Sequence, residues 1–262
     1  MNKTALITGG SSGIGAAAAA ALREAGCTVY TISRRACPED KYHIAADVSD
    51  EEQARAAVKT VIEKEGRLDI LVNCAGFGIS GAAEFTENAE AQRQLDVNLF
   101  GTVNMTRAAI PVMRSLGAGR IVNISSVAAV VPIPFQIWYS ISKAAINSWT
   151  MALANELKQF GISVCAVMPG DTKSGFTDAR KRKNAGDEVY GGLIERSVRL
   201  MEEDERNGTP PEKIARFICR VATKKRVKPI YTPGLKYKLI VILARILPVS
   251  LSNWIIGLFY MR

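Results

Sequence analysis

The sequence predicts a doubly wound α/β fold, a parallel sheet of about seven strands with helices on both faces. Two observations carry this. Apolar, β-rich runs alternate with helical patterns from the first residues to about residue 232. Most of those runs are continuously apolar rather than alternating with polar residues, as strands are when helices cover both sides. No repeat, long linker or low-complexity segment divides the 262 residues, so one domain spanning 1–262 is expected.

Strands are expected at 4–8 (TALIT), 28–33 (TVYTIS), 42–46 (YHIAA), 69–74 (DILVNC), 120–125 (RIVNIS), 163–168 (SVCAVM) and 228–232 (KPIYT). Between them the pattern predicts helices at 13–25, about 51–65, about 90–115, 139–160 and 210–222. Strand, helix, strand repeated this way implies right-handed crossovers and a parallel sheet. Residues 173 to about 209 break the rhythm. They are polar and contain glycine, and read as a loop-and-helix lid over a site.

Composition narrows the chemistry. Apolar residues make up 48% and charged residues 23%, as in a globular soluble protein. The opening KTALITGG enters structure at once, which leaves no room for a secretory signal. Five cysteines stand singly, which suits reduced thiols of a cytoplasmic protein. His43 is the only histidine, so a His-rich zinc site is excluded, no metal is expected, and a Ser-His-Asp triad has one poorly placed candidate. The net charge of +9 is uneven: residues 1–172 hold 15 basic and 16 acidic residues, whereas 206–262 hold 12 basic residues against Glu212 alone. No nucleic-acid partner is expected from this pattern.

The first strand runs into TGGSSGIG (8–15), followed by six alanines and LREAG. Gly9, Gly13 and Gly15 fall at a strand-to-helix turn, where glycine lets backbone amides approach a phosphate and lets the helix pack closely. The helix N-terminus then offers unpaired N–H groups and a positive dipole end to a pyrophosphate, with Ser11, Ser12 and Ile14 between the glycines. The spacing is G-x-x-x-G-x-G. With it come, in order, Asp47 in ADVSD, NCAG at 73–76, Asn98 in VNLFG, Ser125–Ser126 in NISS, Tyr139-x-x-x-Lys143 and PG at 169–170. On these motifs the chain resembles the short-chain dehydrogenase/reductase family, densely from residue 4 to about 172 and loosely beyond. The resemblance implies a Rossmann-type fold and a nicotinamide cofactor.

The residues also speak to which cofactor. NAD-preferring folds place an acid at the end of the second strand to bind the ribose 2′-hydroxyl. Here that position is Ser33, followed by Arg34 and Arg35. No carboxylate stands there to repel a 2′-phosphate, and a guanidinium grips one through charged hydrogen bonds, so NADP(H) is expected over NAD(H). The resemblance implies that Asp47 and Val48 contact the adenine and that Asn73, Ala75 and Gly76 line the cofactor. It places Pro169, Gly170 and Thr172 in the same site. An Asn after a strand also often fixes a turn, and Asn73 suits that architectural role better than catalysis.

Tyr139 and Lys143 stand one turn apart on a predicted helix, projecting from one face. A phenol needs roughly three units of pKa depression to ionise at neutral pH, and a cation within about 4–6 Å supplies about one to three. The pair is thereby expected to tune a phenol toward general acid–base work. By resemblance, Ser126 polarises a substrate carbonyl, Tyr139 protonates the forming alkoxide, Lys143 binds the nicotinamide ribose, and Asn98 anchors a water leading to Lys143. Ser125 is expected to face away.

The end of the chain joins basic residues to two apolar segments, 239–247 and 254–260, interrupted by Arg245, Pro248, Ser250, Ser252 and Asn253. The interruptions exclude a membrane-spanning helix. The segment from about 235 to 262 then reads as a dimer contact or pocket wall, as a peripheral membrane surface, or as a face for an acidic acyl-carrier protein. The function expected is interconversion of a carbonyl and a secondary alcohol, with an apolar, lipid-like ketone such as a hydroxysteroid favoured. A 3-oxoacyl-acyl-carrier-protein reductase is the enzymatic alternative and an NADPH-binding sensor the non-enzymatic one. The resemblance implies a homodimer or homotetramer.

Overall fold

A computed structural model of the chain describes residues 3–261. In chain order its elements begin with β1 (Lys3–Thr8), α1 (Gly13–Glu24), β2 (Cys27–Ser33), β3 (His43–Ala45), α2 (Glu51–Glu65), β4 (Ile70–Asn73) and β5 (Ile79–Ser80). Next come α3 (Asn88–Leu95), α4 (Gly101–Ser115), β6 (Gly119–Ile124), α5 (Ile137–Glu156), β7 (Ile162–Val167) and β8 (Lys181–Arg182). The chain closes with α6 (Leu193–Arg206), α7 (Pro211–Thr223), β9 (Ile230–Tyr231), α8 (Leu235–Ile246) and α9 (Val249–Tyr260).

Seven strands form one parallel sheet in the order β3-β2-β1-β4-β6-β7-β9. Successive side chains on a strand point to opposite faces, and here both faces are buried. On β1, Leu6 packs with Ala54, Val58, Met105 and Met113 of α2 and α4, while its neighbours Ala5 and Ile7 pack with Ala18 and Leu22 of α1 and Ile218 of α7. The fold is therefore doubly wound, and the continuous apolar runs are its direct consequence. The strand order reverses between β1 and β4, which run parallel, and the carboxyl ends of these two strands leave a crevice for a ligand.

Two expectations change, and the structure places one further face. The predicted helix at 90–115 is two helices joined by a π-helical turn, Asp96–Phe100. The buried Asn98 amide causes no clash there because its side chain bonds the Phe77 backbone on both sides, N–H to Oδ1 at 3.0 Å and Nδ2 to O at 3.0 Å. Inside 173–209, β8 pairs with β5 in a small second sheet that local propensity does not announce. The apolar side of α6, with Ile194, Val198 and Met201, packs on Phe135 and Ala82 of the body rather than toward the cleft. Among the described residues, no helix is long and apolar enough to cross a membrane.

Candidate active site

The carboxyl ends of the sheet open into one cleft of about 1170 Å³. Its floor at the switch point is built by the glycine loop. Thr8 Oγ1 accepts from the backbone N–H of Cys74 and of Ala75, both at 3.0 Å, and ties the end of β1 to the end of β4. A Cβ on Gly9 would lie 2.9 Å from Ala75 Cα, and one on Gly15 only 2.2 Å from Gly9 O. Glycine at these two places lets the loop and the first turn of α1 close on each other. That turn has no capping side chain and no acidic residue, so its N–H groups are left for an anion. Ser11, Ser12, Gly13 and Ile14 line the cleft above it.

Along β2 the cleft reaches Ser33, Arg34 and Arg35, both arginines exposed at its rim. His43 shapes this end without being in the cleft. Its Nδ1 lies 2.9 Å from Thr31 Oγ1, and its Nε2 lies 2.9 Å from Arg35 O and 3.1 Å from Ser33 Oγ. Asp47 and Val48 form the opposite wall. Partial burial pushes the Asp47 carboxyl up, but hydrogen bonds from Ser49 and Arg93 outweigh it and hold the group at about 2. Arg93, 2.7 Å from Asp47 and also lining the cleft, has no sequence signal; only the packing of α3 over the loop after β3 brings it in.

At the other end, Ser126, Tyr139 and Lys143 converge on the cleft from β6 and α5. Ser126 follows the end of β6 and Tyr139 lies in the first turn of α5, so both sit at strand or helix ends rather than on mobile loops. Lys143 is buried, donates to Ile124 O at 2.8 Å, and lies 5.5 Å from the Tyr139 ring centre. Ser125 turns the other way, its hydroxyl donating to Lys143 O at 3.0 Å. In the ligand-free chain the electrostatics of the pair are set by burial. Burial pushes the Tyr139 phenol up to about 12, with the Ser126 hydroxyl opposing, and burial pulls the Lys143 amine down to about 8. Desolvation is the largest influence on the phenol in the ligand-free chain, and its direction is upward, toward the protonated form.

Two predicted site residues do not line the cleft. Asn73 is buried, its amide donating to Thr106 Oγ1 at 3.0 Å and to Asn123 Oδ1 at 2.9 Å, which makes it a brace between β4, α4 and β6. Asn98 lies behind Gly76, with its Nδ2 also 3.1 Å from Ser142 Oγ on α5. Ala75, Gly76, Pro169, Gly170 and Thr172 are in place along the wall. Beyond Gly170 the sequence missed a contact. A Cβ there would lie 2.1 Å from the Tyr237 ring, and Tyr237 Oη donates to Asp171 Oδ2 at 2.8 Å, seating α8 against the cleft. The wall opposite Ser126 is thus made by α8 and α9, with Ile240, Leu243, Leu247, Ile255, Ile256 and Phe259. Phe176, 5.4 Å from the Tyr139 ring centre to centre, completes it.

A family model described as short chain dehydrogenase matches residues 3–185. The chain belongs to the short-chain dehydrogenase family. It is therefore an oxidoreductase acting on keto or CH–OH groups. Among curated relatives, this short-chain dehydrogenase is 41% identical over 226 residues to a 3-ketodihydrosphingosine reductase of Bacteroides thetaiotaomicron, covering 84% of this chain and 83% of that one. It is 36% identical over 192 residues to a 3-oxoacyl-[acyl-carrier-protein] reductase of Staphylococcus aureus, covering 68% and 78%. A solved short-chain dehydrogenase from Streptomyces avermitilis superposes with a TM-score of 0.82 at 30% identity, over 97% of this chain and 96% of that chain.

Proposed function

We propose that this single-domain short-chain dehydrogenase reduces a lipid-like ketone to a secondary alcohol with NADP(H). The observation that carries it is the wall of the cleft. Beside Ser126 and Tyr139 the cleft lining includes a run of apolar residues from α8 and α9 together with Phe176, with Asp204, Glu205 and Lys236 among its charged members. Such a channel buries an alkyl chain at about 0.8 kcal/mol per methylene. A relative that shares 41% of residues is a reductase of a sphingoid ketone, which supports the same class.

The cofactor reading rests on fit. The uncapped turn of α1, the Gly9–Gly15 cradle and the exposed Arg34 and Arg35 suit a dinucleotide bearing a 2′-phosphate, with Asp47 and Val48 at its adenine. Bound there, it supplies the hydride. The protein's own residues do the rest. Ser126 donates to the substrate oxygen and orients the carbonyl. Tyr139, held protonated by its burial, gives the proton to that oxygen as it becomes an alkoxide. Lys143 binds the nicotinamide ribose, and Asn98 sits where a water would relay protons to it. Residues 173–209 act as the lid, its loop held to its own helix α6 by Arg180, which pairs with Glu205, and by Thr177 Oγ1, which donates to Glu205 Oε2 at 2.7 Å. A homodimer or homotetramer belongs to the same reading, with the exposed Ile137, Ile141 and Met151 of α5 available for contact.

A 3-oxoacyl thioester is the second reading, favoured by the basic carboxyl-terminal segment from residue 206, which would receive an acidic carrier protein. Loss of NADPH absorbance separates the two: long-chain ketones, including a 3-keto sphingoid base, are run against a 3-oxoacyl thioester, with NADH in parallel. Turnover of the long-chain ketones with NADPH supports the proposal. Turnover of the thioester alone refutes the substrate, and faster turnover with NADH refutes the cofactor. Tyr139→Phe should lower the rate by about 10²–10⁴-fold while NADPH still binds; a variant that keeps its rate would remove Tyr139 from the mechanism, whereas a parent enzyme that binds NADPH and turns over no carbonyl would favour the sensor reading.

A further inference from the structure

Helices α8 and α9 carry more apolar surface than the cleft uses. Around α8, Ile240, Leu243, Ala244 and Leu247 face the cleft. A second stripe, Leu235, Leu239, Ile242 and Ile246, recurs at helical spacing and stays in solvent, 86%, 58%, 42% and 73% exposed. Val249 continues it across the turn at 85% exposed, and Trp254 on α9 is 61% exposed. Side chains of this size left uncovered on two consecutive helices mark a docking surface rather than scattered surface residues.

Charge decides what covers it. Lys238 and Arg245 are exposed and stand four and three residues from Ile242, so both border the apolar stripe. Lys224, Lys225, Arg226 and Lys228, just before α8, are exposed as well. From Lys213 to the end the chain holds eleven basic residues and no Asp or Glu. A second copy docking through the same face would bring like charges together, which opposes a two-fold contact here. An apolar stripe bordered by Lys and Arg, with an exposed tryptophan, matches a bilayer surface that carries negative headgroups.

We infer that the α8–α9 segment docks this enzyme on the surface of an anionic phospholipid bilayer. The same segment forms a wall of the substrate channel, so docking sets the channel beside the bilayer. A lipid-like ketone then passes from the acyl layer into the cleft without crossing bulk water. This consequence rests on the substrate reading above; the docking itself does not.

The test uses the full chain, without substrate or cofactor, in flotation with phosphatidylcholine vesicles and with vesicles containing phosphatidylglycerol. The enzyme should float with the anionic vesicles, and added salt should weaken this. Replacing both Lys238 and Arg245 with Gln should weaken binding about 25-fold, about fivefold per charge. The triple variant Leu239→Ser, Ile246→Ser, Trp254→Ser should not bind. These three residues do not line the cleft, so its turnover of a short, water-soluble ketone should match the parent's, which also shows that it folds. Absence of flotation with anionic vesicles overturns the inference, as does equal flotation of the triple variant. Conversion of an oligomer to monomer by the triple variant would reassign the face to a subunit contact and overturn it too. Flotation as expected, with no turnover of lipid-like ketones, would refute the substrate reading and leave the docking standing.

Discussion

Lys143→Met should make the ligand-free enzyme more stable while abolishing its turnover. The lysine is buried, no carboxylate pairs with it, and burial lowers its pKa from 10.5 to about 8. At ~1.36 kcal/mol per pH unit, that displacement represents about 3 kcal/mol of penalty for holding the charge in the folded state. Methionine fills a similar volume without the charge. It forfeits the hydrogen bond from Nζ to Ile124 O, worth about 1 kcal/mol. The net gain is about 2 kcal/mol, which raises Tm by about 4–8 °C in a chain of this size. The sign depends on pH in a checkable way. Below about pH 8 the amine is protonated in the folded and unfolded chain alike, and the parent carries the whole penalty. Between about 8 and 10.5 the unfolded chain holds the proton more tightly, so parent stability rises with pH and the variant's advantage shrinks. Thermal unfolding at about pH 7 and about pH 10 reads both effects. A variant less stable than the parent at pH 7, or an advantage that does not change with pH, would refute the argument that desolvation dominates this site.

Three further predictions follow from other parts of the cleft. Replacing both Arg34 and Arg35 with Ala should raise KM for NADPH by about 10–100-fold and leave KM for NADH nearly unchanged, since only a 2′-phosphate needs the guanidinium groups; equal loss with both cofactors would point to a general loop defect. Gly15→Ala should abolish cofactor binding in a fluorescence titration, because its Cβ would stand 2.2 Å from the Gly9 carbonyl oxygen and the loop cannot close. Asn73→Ala should lower stability by about 2–3 kcal/mol, as it leaves Asn123 and Thr106 without their shared donor, yet should not change NADPH affinity. A selective loss of affinity in that variant would return Asn73 to the cofactor site.

The sequence by itself determined the winding and the cofactor end. Continuous apolar strands can form only with helices on both faces, and the strand-to-helix turn at 8–15 needs glycine wherever two backbones meet, so both are readable from residue type and spacing. Tyr139 and Lys143 were legible for the same reason, since one helical turn places them on one face. The tertiary structure decided what depends on contacts far apart in the chain. Whether Asn73 faces the cleft or the core turned on Thr106 and Asn123, 33 and 50 residues away. Arg93 reaches Asp47 across 46 residues, and no local pattern predicts that pairing. The upward push on the Tyr139 phenol comes first from burial, and burial is a property of the packed chain. The tail was the largest ambiguity. Its composition suited a subunit contact or pocket wall first, then a membrane surface or a carrier-protein face, because helical spacing shows that apolar stripes exist but not what each one faces. Only the seating of Tyr237 on Gly170 and Asp171 turned one stripe into the cleft and left the other in solvent.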